Sequence, residues 1–349
     1  MSGRVAFVTG ITGQDGSYLA EHLLGLGYSV HGLVRANSGT HGSSLGNIKD
    51  VFHRLTLHKG DVLDVNCLIG ILKEIQPEEI YHLAAQSHVT TSFRIPDYTF
   101  QVNTVGCLNI LQAILHCDLT DKTKLYNAAT SELYGGVAEA GFLSERSPFR
   151  PRSPYAVSKL SALWLVRNYR AAHGIFAVNG ILFNHESPRR NIRFVTTRIA
   201  RGVARYYLGL REQPIKLASV DVRRDWGHAR DYVYGMWLML QQSTPEDMIL
   251  ASGESRSIRE FVEEAFQSIR VRVVWQGADA DLRAVNAENG DTLVEIDSSL
   301  GRPVEVECLR GDSSLARTKI GWKPQITFKE LVREMVGSEI RQNNTCSIL

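Results

Sequence analysis

RVAFVTGITGQDG, running from Arg4 to Gly16, is the stretch that decides the fold. Residues 4 to 9 form a continuous apolar, β-branched run ended by glycine, the pattern of a strand buried on both faces of a parallel sheet. A helix is expected to start near Gln14, with Tyr18, Leu19, Leu23, Leu24 and Leu26 on its buried side and Gly27 as its stop. Between strand and helix, Gly10, Gly13 and Gly16 are spaced G-x-x-G-x-x-G rather than G-x-G-x-x-G. Glycines there permit a tight turn, let backbone approach a pyrophosphate and allow the helix to pack closely, while the helix N-terminus faces the anion. The glycines alone are a weak signal; strand, glycines and helix in this order are a strong one.

The same rhythm continues outward. Ser29 to Val34 reads as a second strand, ending in Arg35 where an acidic residue would bind a ribose 2′-hydroxyl; an arginine there accommodates a 2′-phosphate, favouring NADP over NAD, unless it is only a surface cation. Leu55 to Lys59 is a third strand leading through Gly60-Asp61-Val62 into a helix from about Asp64 to Glu74. Glu79 to Leu83 is a fourth, ending in the small residues Ala84-Ala85-Gln86-Ser87. A long helix is expected from about Pro96 to His116, then a strand from Lys124 to Ala128 running into Thr130-Ser131-Glu132. The helix beginning near Tyr155 runs to about His173, and Phe176 to Leu182 is a sixth strand. Alternating βα units predict a Rossmann-like α/β fold, a doubly wound parallel sheet with right-handed crossovers, whose ligand crevice lies at the strands' carboxyl ends.

After Phe183 the pattern changes. Residues 184 to 190 read as a polar loop, and 195 to 208 as an arginine-bearing helix. Short strands (214 to 217, 248 to 251, 271 to 275) alternate with helices near 229 to 242, 257 to 269 and 327 to 341, and residues 276 to 303 show no clear periodicity. The division expected is a cofactor-binding domain over 1–183 and a smaller α/β part over 184–345 that mainly binds substrate, with a soft boundary and a chain able to re-enter the sheet.

Bulk properties narrow the functional class. The 349 residues are 44% hydrophobic and 22% charged, enough for a sizeable core, and the net charge of +2 with scattered basic residues offers no footprint for nucleic acid or a membrane surface. Five cysteines with no C-x-x-C argue against a disulfide framework or a zinc site and for a reducing compartment, the cytoplasm. No apolar run reaches the roughly 20 residues of a membrane span, and the N-terminus lacks the pattern of a signal peptide. Cys346-Ser347-Ile348-Leu349 fits the C-a-a-X prenylation pattern, but no basic run precedes it and the match reads as chance.

Tyr155 and Lys159 stand four residues apart after the turn-forming Pro151-Arg152-Ser153-Pro154. On a helix they share one face, and a neighbouring ammonium is expected to lower the phenol's pKa and make it a usable base. The pair alone is common on solvated helix surfaces. Its position after the glycine turn and after Thr130-Ser131-Glu132 raises it to a candidate site.

These segments are recognisable together. TGITGQDGSYL (9–19), YHLAAQSHV (81–89), TSELYG (130–135), RSPYAVSK (152–159), NGILFNHESPRR (179–190), RDWGHARDYV (224–233) and residues 322 to 336 resemble the extended short-chain dehydrogenase/reductase family and, within it, the GDP-mannose 4,6-dehydratases. The resemblance implies a hydro-lyase that acts on GDP-mannose with NADP and works as a homodimer or homotetramer. It implies a catalytic set of Thr130, Glu132, Tyr155 and Lys159, with Glu132 as the residue that plain dehydrogenases and epimerases do not need. By the same carry-over the cofactor meets Gly10, Thr12, Gly13, Gln14, Asp15, Gly16, Arg35, Asp61, Val62, Leu83, Ala84, Ala85, Gln86, Ser87, Tyr98, Lys159, His185 and Arg190. The substrate meets Ser87, Glu132, Asn184, Arg198, Arg224 and Arg302. His185 read without the resemblance is a satisfied structural histidine.

The chain departs from that pattern in places. Ala36-Asn37 follows Arg35 where the family usually has a second arginine and serines, in a loop it uses for the 2′-phosphate and for contacts between subunits. Asn191 replaces a glycine, and Val195-Thr196-Thr197-Arg198 loses one cation. Three other functions stay open at this level: a nucleotide-sugar reductase or epimerase, a dehydratase that also reduces its own product, and a non-catalytic NADP-binding sensor, against which the intact catalytic set speaks.

Overall fold

The computed structural model describes residues 3–35, 45–136, 141–210 and 213–346, apart from the side chains of 345 and 346. The readings made on Met1-Ser2, on Ala36-Asn37 and on the C-a-a-X side chains therefore fall outside the described residues.

The first unit comprises β1 (Val5–Thr9), α1 (Gln14–Gly25) and β2 (Ser29–Val34). Gly27, at φ +82°, takes the left-handed position that ends α1. Leu26, expected on the buried side, is 47% exposed, because the helix has already stopped there and the side chain lies past its apolar stripe. β3 (Thr56–Lys59), α2 (Val65–Ile75, capped by the Asp64 side chain) and β4 (Glu79–His82) follow. The expected single helix from 96 to 116 is three pieces preceded by another. These are α3 (Val89–Arg94), α4 (Pro96–Phe100), a π-helical turn over Gln101–Val105, and α5 (Gly106–His116). β5 (Lys124–Thr130), α6 (Pro154–His173) and β6 (Ala177–Leu182) complete the N-terminal run. Ser153 caps α6 by accepting from Ala156 N, and Pro154 sits at its first position.

The stretch read as a polar loop holds a short strand, β7 (Asn184–Glu186). Then come α7 (Val195–Tyr207), β8 (Ile215–Leu217), β9 (Arg223–His228), α8 (Ala229–Leu240), β10 (Met248–Leu250), β11 (Ser255–Ser257), α9 (Ile258–Gln267) and β12 (Val273–Gln276). The aperiodic region contains β13 (Arg283–Asn286) and β14 (Thr292–Ile296), and α10 (Ser314–Ile320) and α11 (Phe328–Cys346) close the chain. Three-residue strands and strands with one covered face carry too few residues for a period to register.

Seven strands form one parallel sheet in the order β10-β6-β5-β4-β1-β2-β3. Its far strand, β10, pairs with β6 although more than 60 residues separate them. One face is covered by α1 and α8 around Leu19, Leu23, Tyr232, Met236 and Trp322, the other by α2, α5 and α6 around Leu68, Leu72, Ile110, Leu111 and Val166. Helices on both faces make this the doubly wound α/β fold. A second core, around Ile199, Trp226, Phe261, Leu293 and Leu331, lies under two small sheets, β11-β9-β7 and β12-β13-β14-β8.

The RDWGHARDYV segment braces the join. Asp225, fully buried, accepts from Ser252 N (2.7 Å), Ser252 Oγ (2.6 Å), Gly253 N (2.9 Å) and Gly311 N (3.1 Å). Asp231 accepts from Gln325 N and Ile326 N, while its carbonyl takes the Trp322 indole N–H at 2.7 Å. Asp225→Ala leaves the N–H groups of Ser252, Gly253 and Gly311, one buried and two half-buried, without their acceptor. We expect a loss of roughly 3 kcal/mol or more, since each orphaned donor costs about 1–3 kcal/mol, read as a lower urea midpoint.

Candidate active site

The carboxyl ends of β1, β2, β4, β5 and β6 open onto a cavity of about 1100 Å³. Its wall includes every residue expected at the cofactor: Gly10, Thr12 to Gly16, Arg35, Asp61, Val62, Leu83 to Ser87, Tyr98, Lys159, His185 and Arg190. It also includes Thr130, Glu132, Tyr155 and Asn184. A Cβ on Gly10, at φ +72°, would stand 2.8 Å from Ala84 N, and one on Gly16 only 2.3 Å from Gly10 O. The turn is closed down on the end of β4, leaving backbone at the wall in the manner a pyrophosphate requires. These residues fit a dinucleotide.

The strand ends are tied to the helix that bears Tyr155. Thr9 Oγ1 accepts from Leu83 N and Ala84 N (both 3.2 Å) and lies 2.9 Å from His82 Nδ1. Burial, followed by the charge of Lys159, pushes His82 down to about 3, so the ring is neutral, and Thr9 Oγ1, which already accepts from two N–H groups, donates its hydroxyl hydrogen to Nδ1. From the π turn, Asn103 Oδ1 accepts from Gln86 N (2.8 Å) and its Nδ2 donates to Gln86 O (3.1 Å) and Ser158 Oγ (2.9 Å). Thr104 Oγ1 donates to the Ser158 carbonyl at 2.9 Å. The π turn thus fixes the Leu83–Ser87 segment and the helix between Tyr155 and Lys159 to one another, a role such bulges often serve at sites.

Tyr155, Glu132 and Thr130 are each 8% exposed and Lys159 3%. The acid–base arrangement differs from the sequence expectation. Burial pushes the Tyr155 phenol up to about 12, helped by the Glu132 charge and opposed by the Thr130 hydroxyl and Arg190. The Lys159 ammonium is itself pushed down to about 8 by burial, with Cys107 and Asp15 acting against that fall. Its Nζ donates to Ala128 O at 2.9 Å. Desolvation outweighs charge at both groups because both lie inside the wall.

Gln14 and Asp15 join the glycine turn to the Asn184–Arg190 segment. Gln14 Nε2 donates to His185 O (3.0 Å) and Ser187 Oγ donates to Gln14 Oε1 (2.9 Å). His185 Nε2 meets Asp15 Oδ2 at 2.9 Å, its Nδ1 meets Phe183 O at 2.8 Å, and its ring stacks on Tyr232 at 4.5 Å. Burial opposes both charges, yet their attraction outweighs it: the Asp15 carboxyl is lowered and the His185 imidazole raised. Phe183 O and the Asp15 carboxylate are both acceptors, so each ring nitrogen faces an acceptor within the protein. This network is what the QDG and NHES motifs encode.

Of the three arginines expected at the substrate, none lines the cavity wall itself. Arg302 Nη1 lies 3.3 Å from Glu132 Oε1, so it reaches the site through that carboxylate. Arg224 is buried and donates to Glu305 Oε1 (2.9 Å), Val306 O (2.6 Å) and Arg223 O (2.9 Å). Arg198, on α7, is half-buried, with an Nε that has no hydrogen-bond partner among the described residues. The wall also holds His88, Asn191, Arg193 and Phe194. His88 is pushed down by burial, and the charges of Arg302, Arg193 and Arg198 act in the same direction. Sequence reasoning passed over His88, Asn103 and Arg193; only their places inside or beside recognised motifs point to them.

Residues 7–335 match the family model described as GDP-mannose 4,6 dehydratase. The chain belongs to that family. It is 49% identical over 350 residues to the GDP-mannose 4,6 dehydratase of Cricetulus griseus, covering 98% of this chain and 93% of that protein. To the GDP-mannose 4,6 dehydratase of Homo sapiens it is also 49% identical, over 98% of this chain and 92% of that one. Among solved structures it is similar to RMD from Pseudomonas aeruginosa complexed with NADPH, with a TM-score of 0.77, 26% identity and coverage of 97% and 99%. Gln14, Asp15 and Glu132, which belong to the segments that carry the resemblance, all line this cavity.

Proposed function

We propose that this chain converts GDP-mannose to GDP-4-keto-6-deoxymannose, a step toward 6-deoxysugar nucleotides, using NADP. Residues 1–183 mainly hold the cofactor and 184–345 mainly the GDP-sugar. The observation that carries the reading is Glu132 standing with Thr130, Tyr155 and Lys159 in one buried wall. An oxidation at C4 alone has no use for a second acid.

Tyr155 takes the proton of the sugar 4-hydroxyl, and Thr130 hydrogen-bonds the same oxygen. When bound, NADP would supply a hydride acceptor for C4 and a hydride donor for C6. The 4-ketone acidifies C5. Glu132 takes the C5 proton and gives one to the departing 6-hydroxyl, so one water leaves; once C6 has its hydride, C5 regains a proton from solvent through Glu132, and Tyr155 gives the proton it took from the 4-hydroxyl back to solvent. Lys159 holds positive charge beside the phenolate, which stabilises it. The Gly10–Gly16 turn holds the pyrophosphate of the cofactor, Asp61 and Val62 flank its adenine, and Arg35 meets its 2′-phosphate. Arg198, Arg193 and Arg302 supply cations for the diphosphate of the substrate, with Ser87 and Asn184 at the sugar.

Incubation with GDP-mannose, and separately with UDP- and dTDP-sugars, should show loss of one water by mass spectrometry from GDP-mannose alone. Loss from none of them, with cofactor bound, would move the reading to a reductase or epimerase. Supplying excess NADPH and finding a 6-deoxy sugar with a 4-hydroxyl would identify the bifunctional case. Arg35 Nη1 lies 3.3 Å from Tyr98 Oη at the cavity rim. Arg35→Ala should weaken NADP about tenfold or more, as expected for loss of one charged hydrogen-bond partner, and leave NAD nearly unchanged; equal losses would mean the loop does not read the 2′-phosphate.

A homodimer or homotetramer is supported by Phe100, Val157 and Trp164, which are 41%, 44% and 48% exposed on α4 and α6. Apolar side chains clustered on adjoining helices fit a contact between copies, and light scattering measures it. Among the described residues no helix is long and apolar enough to cross a membrane. We place the enzyme in the cytoplasm on its cysteine usage.

A further inference from the structure

Two arginines stand side by side near the cavity and are held very differently. Arg224 is locked: its side chain is 6% exposed and its guanidinium donates to two carbonyls and to Glu305. Arg302 is 27% exposed, and a single nitrogen, Nη1, is shared between Glu132 Oε1 at 3.3 Å and Glu305 Oε1 at 3.6 Å. Both contacts are longer than a well-formed charge-assisted hydrogen bond of about 2.7–2.9 Å. Glu305 cannot take Arg302 fully, because the same Oε1 already accepts from Arg224 and from Val306 N (3.0 Å). Arg302 also lies close enough to the cavity for its charge to act on His88 in the wall, as do those of Arg193 and Arg198.

A guanidinium shared at long range between two carboxylates is poised to leave them for a better acceptor. A diphosphate offers one, since its oxygens match the guanidinium fork bidentately. Meanwhile the Glu132 oxygen that Arg302 engages, Oε1, cannot take a proton from carbon along the line that the N–H occupies. We propose that Arg302 is a positioning residue that exchanges Glu132 for the diphosphate of the sugar nucleotide, so that the C5 base is released only when the nucleotide is seated. This rests on the reading of Glu132 as that base. The device confines proton abstraction to a correctly anchored sugar. Arg224 stays in place throughout, holding Glu305 as the point about which Arg302 moves.

The test separates base from anchor by splitting the ligand. Free 4-keto-6-deoxymannose is incubated with the holoenzyme in D2O, with and without saturating GDP, and deuterium at C5 is followed by NMR. Wild type should exchange at least tenfold faster with GDP. Arg302→Met should exchange at the GDP-stimulated rate without GDP and fail to respond to it. Arg302→Lys, which keeps a cation, should keep the GDP response at a higher GDP concentration. Wild-type exchange indifferent to GDP, or an Arg302→Met enzyme that still needs it, overturns the proposal and leaves Glu132 as base. Absence of C5 exchange in intact GDP-4-keto-6-deoxymannose with wild type instead removes Glu132 from the chemistry, and the proposal with it.

Discussion

Glu132→Gln should abolish water loss from GDP-mannose and C5 proton exchange together, while GDP-mannose still binds with nearly wild-type affinity. The side chain is buried in the cavity wall, and Gln keeps its shape and its Oε1 as an acceptor for Arg302, so neither fold nor pocket should change. What disappears is the ability to take a proton from C5 and pass one to the 6-hydroxyl. General acid–base groups contribute about 10²–10⁴-fold, and a residue that acts at both ends of the elimination belongs at the upper limit, so a fall of roughly 10⁴-fold is expected. Oxidation at C4 does not use this carboxylate, so single-turnover absorbance of the reduced cofactor should still rise and then stall. Wild-type C5 exchange in the variant would take Glu132 out of the mechanism. Loss of binding alongside activity would make it a substrate-positioning group.

The contrast between what could be read from the chain and what could not follows physical lines. β1, α1 and β2 appear within a residue of the positions expected, because a strand buried on both faces is continuously apolar and a helix against it shows one stripe. β13 and β14 were hidden in a polar stretch, since only some of their side chains are buried and the rest are free to be polar. The π turn at 101–105 left no periodic trace, yet it places Asn103 against Gln86 and Ser158. Motif reading found the residues that touch the cavity from one segment each, such as Gly10, Thr130 and Tyr155. It could not find a relation between segments. That Asp15 of the glycine turn pairs with His185, or that Arg302 reaches Glu132 across 170 residues, is a property of the folded sheet alone.

The relation between Tyr155 and Lys159 makes the last prediction. Spacing on α6 suggested an ammonium pulling the phenol down, but burial sets the phenol near 12 and the lysine near 8. A reactive state that needs both phenolate and ammonium is then one proton short of the fully protonated pair. Below about pH 8 that state grows tenfold per pH unit, since removing one proton forms it. Between about 8 and 12 its share is constant, because the pair has lost one proton throughout and only its placement differs. We expect log kcat to climb with unit slope to about pH 8 and then level off. Lys159→Met should erase the break near 8, so that the slope continues upward toward the phenol's own titration. Tyr155→Phe should cost about 10²–10⁴-fold and flatten the rising limb. A wild-type profile rising without a break past pH 9 would mean that the lysine is not required as a cation, and that its bond to Ala128 O serves only to pin α6 to β5.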